Sequence, residues 1–106
     1  MTTLSTHVLD AALGRPAAGV PVDLLEADGA TAESAVTDDD GRARFTSTIG
    51  AGAHSLRFAT GPWFAAADRD TFFPSVTLSF TAAPDQAHYH VALLLSPFSY
   101  TTYRGS

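Results

Sequence analysis

The sequence contains no cysteine and no lysine. Without cysteine, the 106-residue chain forms no disulfide and offers no thiolate for catalysis or zinc binding. All six positively charged residues are arginine, against 11 acidic residues, and the formal net charge is −5. An acidic chain without a basic run is not expected to bind the phosphate backbone of nucleic acids, so no nucleic-acid partner is predicted.

Long hydrophobic runs are also missing. No apolar stretch approaches the roughly 20 residues that a membrane-spanning helix needs. Residues 1–5 have neither the basic region nor the apolar segment of a secretory signal. We therefore expect a cytoplasmic protein that has no membrane partner. The length and the 45% hydrophobic content predict a single domain over residues 1–106 with one modest core.

Short alternating segments, separated by turn residues, dominate the chain. Apolar and polar residues alternate in segments such as 20–26, 74–82 and 88–95, and clusters of Gly, Pro and Asp lie between such segments. Gly61-Pro62 predicts the start of one short helix, from Trp63 to Asp68. Many short strands with regularly spaced turns are typical of an all-β sandwich.

The segment from His88 to Leu95 carries two histidines on one face of a predicted strand. Because side chains alternate, the odd-numbered residues from Tyr89 to Leu95 are assigned to the core, and the even-numbered residues from His88 to Leu94 to the opposite face. Ala92 and Leu94 make that opposite face apolar, which favours a second subunit covering it. The alternative is that this face is solvated, because scattered apolar residues such as Ala92 and Leu94 are common on protein surfaces.

The four histidines are natural acid–base candidates, because imidazole titrates near neutral pH. His54, at the entry of a strand without a neighbouring motif, is expected at the surface. His7 lies in the middle of the first predicted strand. His88 and His90 form an H-x-H pair, a plausible two-ligand metal site. However, neither an HExxH motif nor a cysteine accompanies this pair, and neither metal nor cofactor is expected.

An acidic turn precedes one arginine of interest. Asp38-Asp39-Asp40-Gly41 lacks the spacing and the distal Glu of a calcium loop, so we interpret it as a tight turn. Arg42 follows directly and, judged alone, is a solvated side chain. No nucleophile elbow, phosphate loop or dinucleotide fingerprint is present. The residues alone thus predict a β-sandwich with a histidine-bearing face and leave its substrate open.

Four segments together resemble the transthyretin-related family and, within it, the hydrolase branch. They are L-S-T-H-V-L-D at 4–10 with G-R-P-A at 14–17, T-D-D-D-G-R at 37–42, D-T-F-F-P at 70–74, and the stretch from H-Y-H at 88–90 to the terminal Y-R-G-S at 103–106. The resemblance covers essentially the whole chain. H-Y-H combined with Y-R-G-S separates the hydrolases from the hormone-carrying transthyretins.

This resemblance implies a transthyretin-like Greek-key β-sandwich of two four-stranded sheets with one short helix. It also implies a homotetramer whose active sites lie at the dimer–dimer interface. The implied reaction is hydrolysis of the small molecule 5-hydroxyisourate, in which water attacks the C6 carbonyl and 2-oxo-4-hydroxy-4-carboxy-5-ureidoimidazoline forms. Carried over by motif, the catalytic residues are His7, Arg42 and His90, and the substrate-binding residues are His7, Arg42, Tyr103 and Ser106.

Two departures from the family pattern accompany this resemblance. Ala92 stands where the family usually has Pro, and the region between Arg42 and Leu56 is shorter than usual. Two other functions remain as alternatives. A transthyretin-like carrier needs an apolar, unreactive channel, whereas His7, His90 and Tyr103 predict a polar one. A non-catalytic prealbumin-like module does not account for H-Y-H or Y-R-G-S.

Overall fold

The computed structural model describes residues 2–105, and over this range the chain forms nine strands and one helix. The elements in chain order are β1 (Thr3–Asp10), β2 (Arg15–Pro16), β3 (Pro21–Leu25), β4 (Thr31–Val36), β5 (Arg42–Arg44), β6 (Gly52–Phe58), α1 (Thr60–Ala66), β7 (Val76–Ala82), β8 (His88–Ser96) and β9 (Ser99–Gly105).

The strands form two sheets, and the predicted all-β sandwich is confirmed. One sheet has the order β4-β3-β6-β7. The other has the order β2-β1-β8-β9, and β5 also pairs with β1. Strand β2 pairs with Leu9 and Asp10, whereas β5 pairs with the segment from Ser5 to His7. The two short strands therefore share one edge of β1 in succession, and this sheet is also four strands across.

A parallel pair of strands joins β1, the first strand, to β8, the last strand but one. Strands β1 and β8 run side by side from the pair Thr3 and His88 to the pair Asp10 and Leu95. Residues paired across neighbouring strands point to the same face of a sheet. This register therefore decides which side chains of the first ten residues meet those of the H-Y-H segment.

The core lies between the sheets and follows the predicted alternation. The odd-numbered residues from Tyr89 to Leu95 are all buried, as expected. On β1 the inward residues are Leu4, Thr6 and Val8, all fully buried. The hydroxyl of Thr6 donates to the carbonyl of Val91 over 2.7 Å, which satisfies this buried polar group.

His54 is buried, and the expectation that it lies at the surface is wrong. Only 7% of this residue is exposed, because it continues the inward alternation of Leu56 and Phe58 on β6. Its Nε2 donates to the carbonyl of Gly50 over 2.8 Å, and its ring lies 6.0 Å from that of Phe80. The alternation in β6, extended back by two residues, predicts this burial correctly.

The helix begins three residues earlier than predicted, at Thr60 rather than Trp63, and ends at Ala66. Pro62 therefore lies in the first turn, where its missing N–H breaks no helical hydrogen bond. Phe64 is fully buried, and Trp63 Nε1 donates to the carbonyl of Ala18 over 2.8 Å. Within residues 2–105, no helix is long and apolar enough to cross a membrane.

Candidate active site

The outward side of the sheet that contains β5, β1, β8 and β9 brings the histidines together, and we call it the histidine face. Ser5 pairs with His90 and His7 with Ala92 across β1 and β8. Arg42 pairs with His7 from the other edge of β1. Side chains that are far apart in the sequence therefore lie within a few strand widths of each other.

A cleft of about 280 Å³ opens on the histidine face. Its lining residues are Ser5, Thr6, Asp38, Arg42, Ala43, Arg44 and His90. Two of the predicted catalytic residues, Arg42 and His90, thus share one concave site. Two guanidinium groups and an imidazole face a single lining carboxylate, which makes the cleft suited to a polar or anionic ligand.

His7 stands beside this cleft. The centroids of the His7 and His90 rings are 6.4 Å apart, with the ring planes inclined by 45°. His7 Nε2 donates to the backbone carbonyl of Asp40 over 2.9 Å. Because that carbonyl only accepts, neutral His7 carries its proton on Nε2 and leaves the Nδ1 lone pair free.

The turn from Asp38 to Gly41 presents both the Asp40 carbonyl and Arg42. A single carboxylate oxygen of Asp38 accepts from the backbone N–H of Asp40 at 2.9 Å and of Arg42 at 3.0 Å. Gly41 has a φ of 77°, a left-handed conformation that glycine adopts without strain. The interpretation of this segment as a tight turn is therefore confirmed.

His90 is half-buried, and its environment disfavours the charged imidazolium. Burial lowers the pKa of His90 below its ordinary value of 6.5, and the positive charge of Arg42, together with that of His7 and His88 whenever either is protonated, lowers it further. Ser5 Oγ lies 2.8 Å from His90 Nδ1. At neutral pH this imidazole is therefore uncharged and able to accept a proton.

Tyr103 does not line the cleft that Arg42 and His90 share. It pairs with Ala92, which separates it from His7, and 52% of it is exposed. In the single chain, it lines a wider groove along β7 and β9 rather than the cleft of His90. Ser106, the remaining predicted substrate-binding residue, lies outside the described residues.

Three polar residues of this neighbourhood have no role assigned from the sequence. They are Ser5, which contacts His90, His88, which contacts Ser5 over 2.9 Å, and Arg44, which lines the cleft. Ser5 and His88 each lie two residues before a predicted site histidine, a spacing that places them on the same strand face. Only the pairing of β1 with β8 reveals that they touch.

Taken together, the site offers acid–base groups and a fixed cation. A neutral imidazole can accept a proton, a second imidazole lies nearby, and Arg42 can donate two parallel hydrogen bonds to an oxygen that gains charge. Within residues 2–105, no group of three or more His, Asp or Glu side chains is arranged as a metal site.

Comparison with protein families gives one match that spans nearly the whole chain. The model of the HIUase/Transthyretin family matches residues 4–105. A 5-hydroxyisourate hydrolase of Deinococcus radiodurans is 44% identical, covering 97% of this chain and 95% of the relative. A 5-hydroxyisourate hydrolase of Caulobacter vibrioides is 40% identical over the full length of both chains.

Solved structures give the same picture. The 5-hydroxyisourate hydrolase of Klebsiella pneumoniae superposes with a TM-score of 0.91, at 39% identity and full coverage of both chains. Sea bream transthyretin, solved in complex with thyroxine, superposes with a TM-score of 0.87 at 34% identity, covering 96% of this chain and 93% of that one. The same backbone is thus found both in a hydrolase and in a transthyretin solved with bound thyroxine.

Proposed function

Because this chain belongs to the HIUase/Transthyretin family, we propose that it is an enzyme of purine breakdown that hydrolyses 5-hydroxyisourate. The observation that carries this proposal is the convergence of His90 and Arg42 on one cleft, with the ring of His7 beside them. Such a set of groups can catalyse the attack of water on an acyl carbon in a planar, polar ring.

In the proposed reaction, His90 is the general base. Its lowered pKa keeps it neutral at pH 7, so that it can take a proton from the attacking water. The oxygen of this water bonds to C6 of the substrate, and the π electron pair of the C6 carbonyl moves onto the carbonyl oxygen. Positioned proton transfer of this kind accelerates a reaction by about 10²–10⁴-fold.

Arg42 stabilises the negative charge that develops on the C6 oxygen. Its planar guanidinium presents paired N–H donors, and the turn from Asp38 to Gly41 holds its backbone in place. A lysine in this position would supply charge but not paired donors. One donor of this type contributes about 10²–10³-fold to the rate.

His7 supplies the proton that the leaving nitrogen needs when the N1–C6 bond breaks. With Nε2 held on the Asp40 carbonyl, a protonated His7 has its second N–H on Nδ1, free to donate. Tyr103 and Ser106 complete the proposed site as substrate-binding residues. Both belong to the terminal Y-R-G-S that the hydrolase resemblance rests on.

We propose that the active sites are completed when four copies assemble. Strand β9 is exposed along nearly its whole length, and β9 and β7 are outer strands of their sheets. Such edges pair readily with a second copy. The histidine face carries the apolar side chain of Leu94, which suits burial against another dimer. The cleft of His90 would then lie at the dimer–dimer interface.

The direct test is turnover. Urate oxidase generates 5-hydroxyisourate from urate in the cuvette, and its ultraviolet absorbance is followed with and without the protein. We expect fast, protein-dependent loss of the signal. Substitution of Arg42→Gln or His90→Gln should lower kcat/KM by about 10²-fold. Arg57→Gln is the matched control, since Arg57 forms a surface ion pair with Asp23 on the other sheet.

Two results would contradict the proposal. One is a wild-type protein that leaves the spontaneous decay of 5-hydroxyisourate unchanged. The other is an Arg42→Gln protein as active as the Arg57→Gln control. Binding of thyroxine without turnover would instead favour a non-catalytic, ligand-binding function, since sea bream transthyretin was solved in complex with thyroxine.

A further inference from the structure

His88, the first histidine of the H-x-H pair, belongs to a hydrogen-bonded chain that ends on His90. Its Nδ1 lies 2.5 Å from Thr3 Oγ1, and its Nε2 lies 2.9 Å from Ser5 Oγ. Ser5 Oγ lies 2.8 Å from His90 Nδ1. Hydroxyl and imidazole groups therefore alternate without a gap from Thr3 to His90.

The far end of this chain decides where each hydrogen lies. Thr3 Oγ1 is 3.4 Å from the carbonyl oxygen of Ala87, to which it can only donate. Thr3 Oγ1 consequently accepts from His88 Nδ1–H, and His88 Nε2 accepts from the Ser5 hydroxyl. Ser5 Oγ then accepts from His90 Nδ1–H, because its own hydrogen is already used.

We propose that Ser5 and His88 are positioning residues that hold neutral His90 with its proton on Nδ1 and its lone pair on Nε2. This inference rests on the proposed function. In this tautomer, Nε2 takes a proton from the attacking water while the water oxygen forms its bond to the carbonyl carbon. The opposite tautomer would present an N–H to the water and could not act as the base.

The fold supports this assignment in two further ways. Within residues 2–105, His90 Nε2 makes no hydrogen bond, so that nitrogen is left for a ligand. The chain also follows directly from strand register, since Thr3 pairs with His88 and Ser5 with His90. A slip of β1 by one residue would move both hydroxyls to the core face. The two strands therefore build the support for His90 as one unit.

The tautomer can be measured without substrate. Two-bond ¹H–¹⁵N spectra of the full-length protein, labelled with ¹⁵N-histidine, report which ring nitrogen carries the proton above the pKa of His90. We expect wild-type His90 in the Nδ1–H form. Ser5→Ala should lose this preference and give a mixture of both forms. Ser5→Thr, which keeps a hydroxyl, should retain the Nδ1–H form.

Kinetics give the second readout. Ser5→Ala should lower kcat about tenfold, the effect of one lost hydrogen bond, with KM changed less than threefold. His88→Ala should lower kcat by a similar factor, and Ser5→Thr should recover most of it. Ser55→Ala is the matched control, because the Ser55 hydroxyl contacts Ser79 on the opposite sheet.

The outcomes separate this inference from the proposed function. Wild-type His90 with its proton on Nε2, or a Ser5→Ala protein with unchanged tautomer and kcat, would overturn the positioning role even if turnover is fast. A wild-type protein without turnover would contradict the proposed function, while the spectra would still decide the tautomer. Should Ser5→Ala fail to fold, His88→Ala tests the same chain one link farther from His90.

Discussion

The imidazole of His90 lies directly against Gly105 of the neighbouring strand. The two residues pair across β8 and β9, and a Cβ at position 105 would lie 2.6 Å from His90 Cδ2. Real side chains do not approach so closely, so this glycine leaves the space that the ring occupies. With Nδ1 bonded to Ser5 and Cδ2 against Gly105, the orientation of His90 is set from two neighbouring strands.

Substitution of Gly105→Ala should therefore impair catalysis more than folding. The added methyl group displaces the imidazole, and a misplacement of about 1 Å in a catalytic group costs on the order of 10²-fold in rate. We expect kcat/KM to fall at least about tenfold in the ultraviolet assay. Gly50→Ala is the control, because a Cβ there meets no atom within 4 Å. Equal activity of the two variants would show that the ring does not depend on this glycine.

The acid limb of the pH profile should report His90. Burial lowers the pKa of His90 below 6.5, and the positive charge of Arg42, with that of His7 and His88 whenever either is protonated, lowers it further. As the pH falls through this pKa, His90 gains a proton and can no longer accept one from water, so kcat/KM should fall there. The other charged groups that line the cleft with His90 are Arg44 and Asp38.

Removal of the Arg42 charge tests this attribution. Arg42→Gln should raise the pKa of His90, because it removes the positive charge that contributes most to the electrostatic lowering of this pKa. An NMR titration of the His90 ring measures this directly, independent of the residual activity. Arg57→Gln, on the other sheet, should leave the titration unchanged. An unchanged pKa of His90 in the Arg42→Gln protein would contradict the proposed electrostatic coupling between Arg42 and His90.

Assembly should depend on the apolar part of the histidine face. Leu94→Glu places a charge where the proposed dimer–dimer interface excludes water, so sedimentation should show dimers or monomers in place of tetramers. Activity should fall with the loss of assembly. Val36→Glu is the control, because Val36 is 60% exposed on the opposite sheet. A Leu94→Glu protein that remains tetrameric and active would place the interface elsewhere.

The sandwich could be predicted because alternation is a local signal. The inward faces from Tyr89 to Leu95 and from Leu56 to Phe58 can be recognised within seven or eight residues. The start of the helix at Thr60 is not predicted by Pro62 alone, because proline is accepted anywhere in the first helical turn. The position of His54 at the entry of a strand, without a neighbouring motif, predicts a surface residue wrongly, because the inward alternation of Leu56 and Phe58 continues back to it.

The site could be predicted only in part, because strand pairing is not local. Motif resemblance predicts His7, Arg42 and His90 as site residues, and the structure places Arg42 and His90 on one cleft with the His7 ring beside them. The contact of Ser5 with His88 depends on a parallel register between residues more than 80 positions apart. No periodicity within β1 or β8 encodes that register. It emerges from packing of the whole sandwich.

Asp10 makes a further buried contact, with Arg69, which no local sequence pattern predicts. It is 2% exposed at the end of β1, and its carboxylate accepts from Arg69 Nη1 over 2.7 Å and from the backbone N–H of Leu13 over 3.0 Å. The guanidinium of Arg69 also lies 4.8 Å from the centroid of the Phe64 ring. This ion pair ties α1 and the segment after it to the histidine-bearing sheet.

Arg69→Ala should destabilise the fold, because it leaves the Asp10 carboxylate buried without its counter-ion. Breaking a buried pair in this way costs about 3 kcal/mol, measurable by urea unfolding at pH 7. Arg57→Ala, which breaks a surface pair with Asp23, should cost less than about 1 kcal/mol. Equal losses in the two variants would contradict the importance assigned to the buried pair.

The loss caused by Arg69→Ala should also depend on pH. Burial raises the pKa of Asp10, but hydrogen bonds and charge from Arg69, together with backbone N–H groups, bring the net pKa below 3.8. A carboxyl group with a lowered pKa stabilises the fold above pH 3.8, and this contribution disappears as the pH falls through its folded-state pKa. The difference between wild type and Arg69→Ala should therefore narrow as the urea titrations are repeated below pH 3.8. A difference that is constant from pH 7 down to that range would assign the effect to packing of Arg69 on Phe64 rather than to its charge.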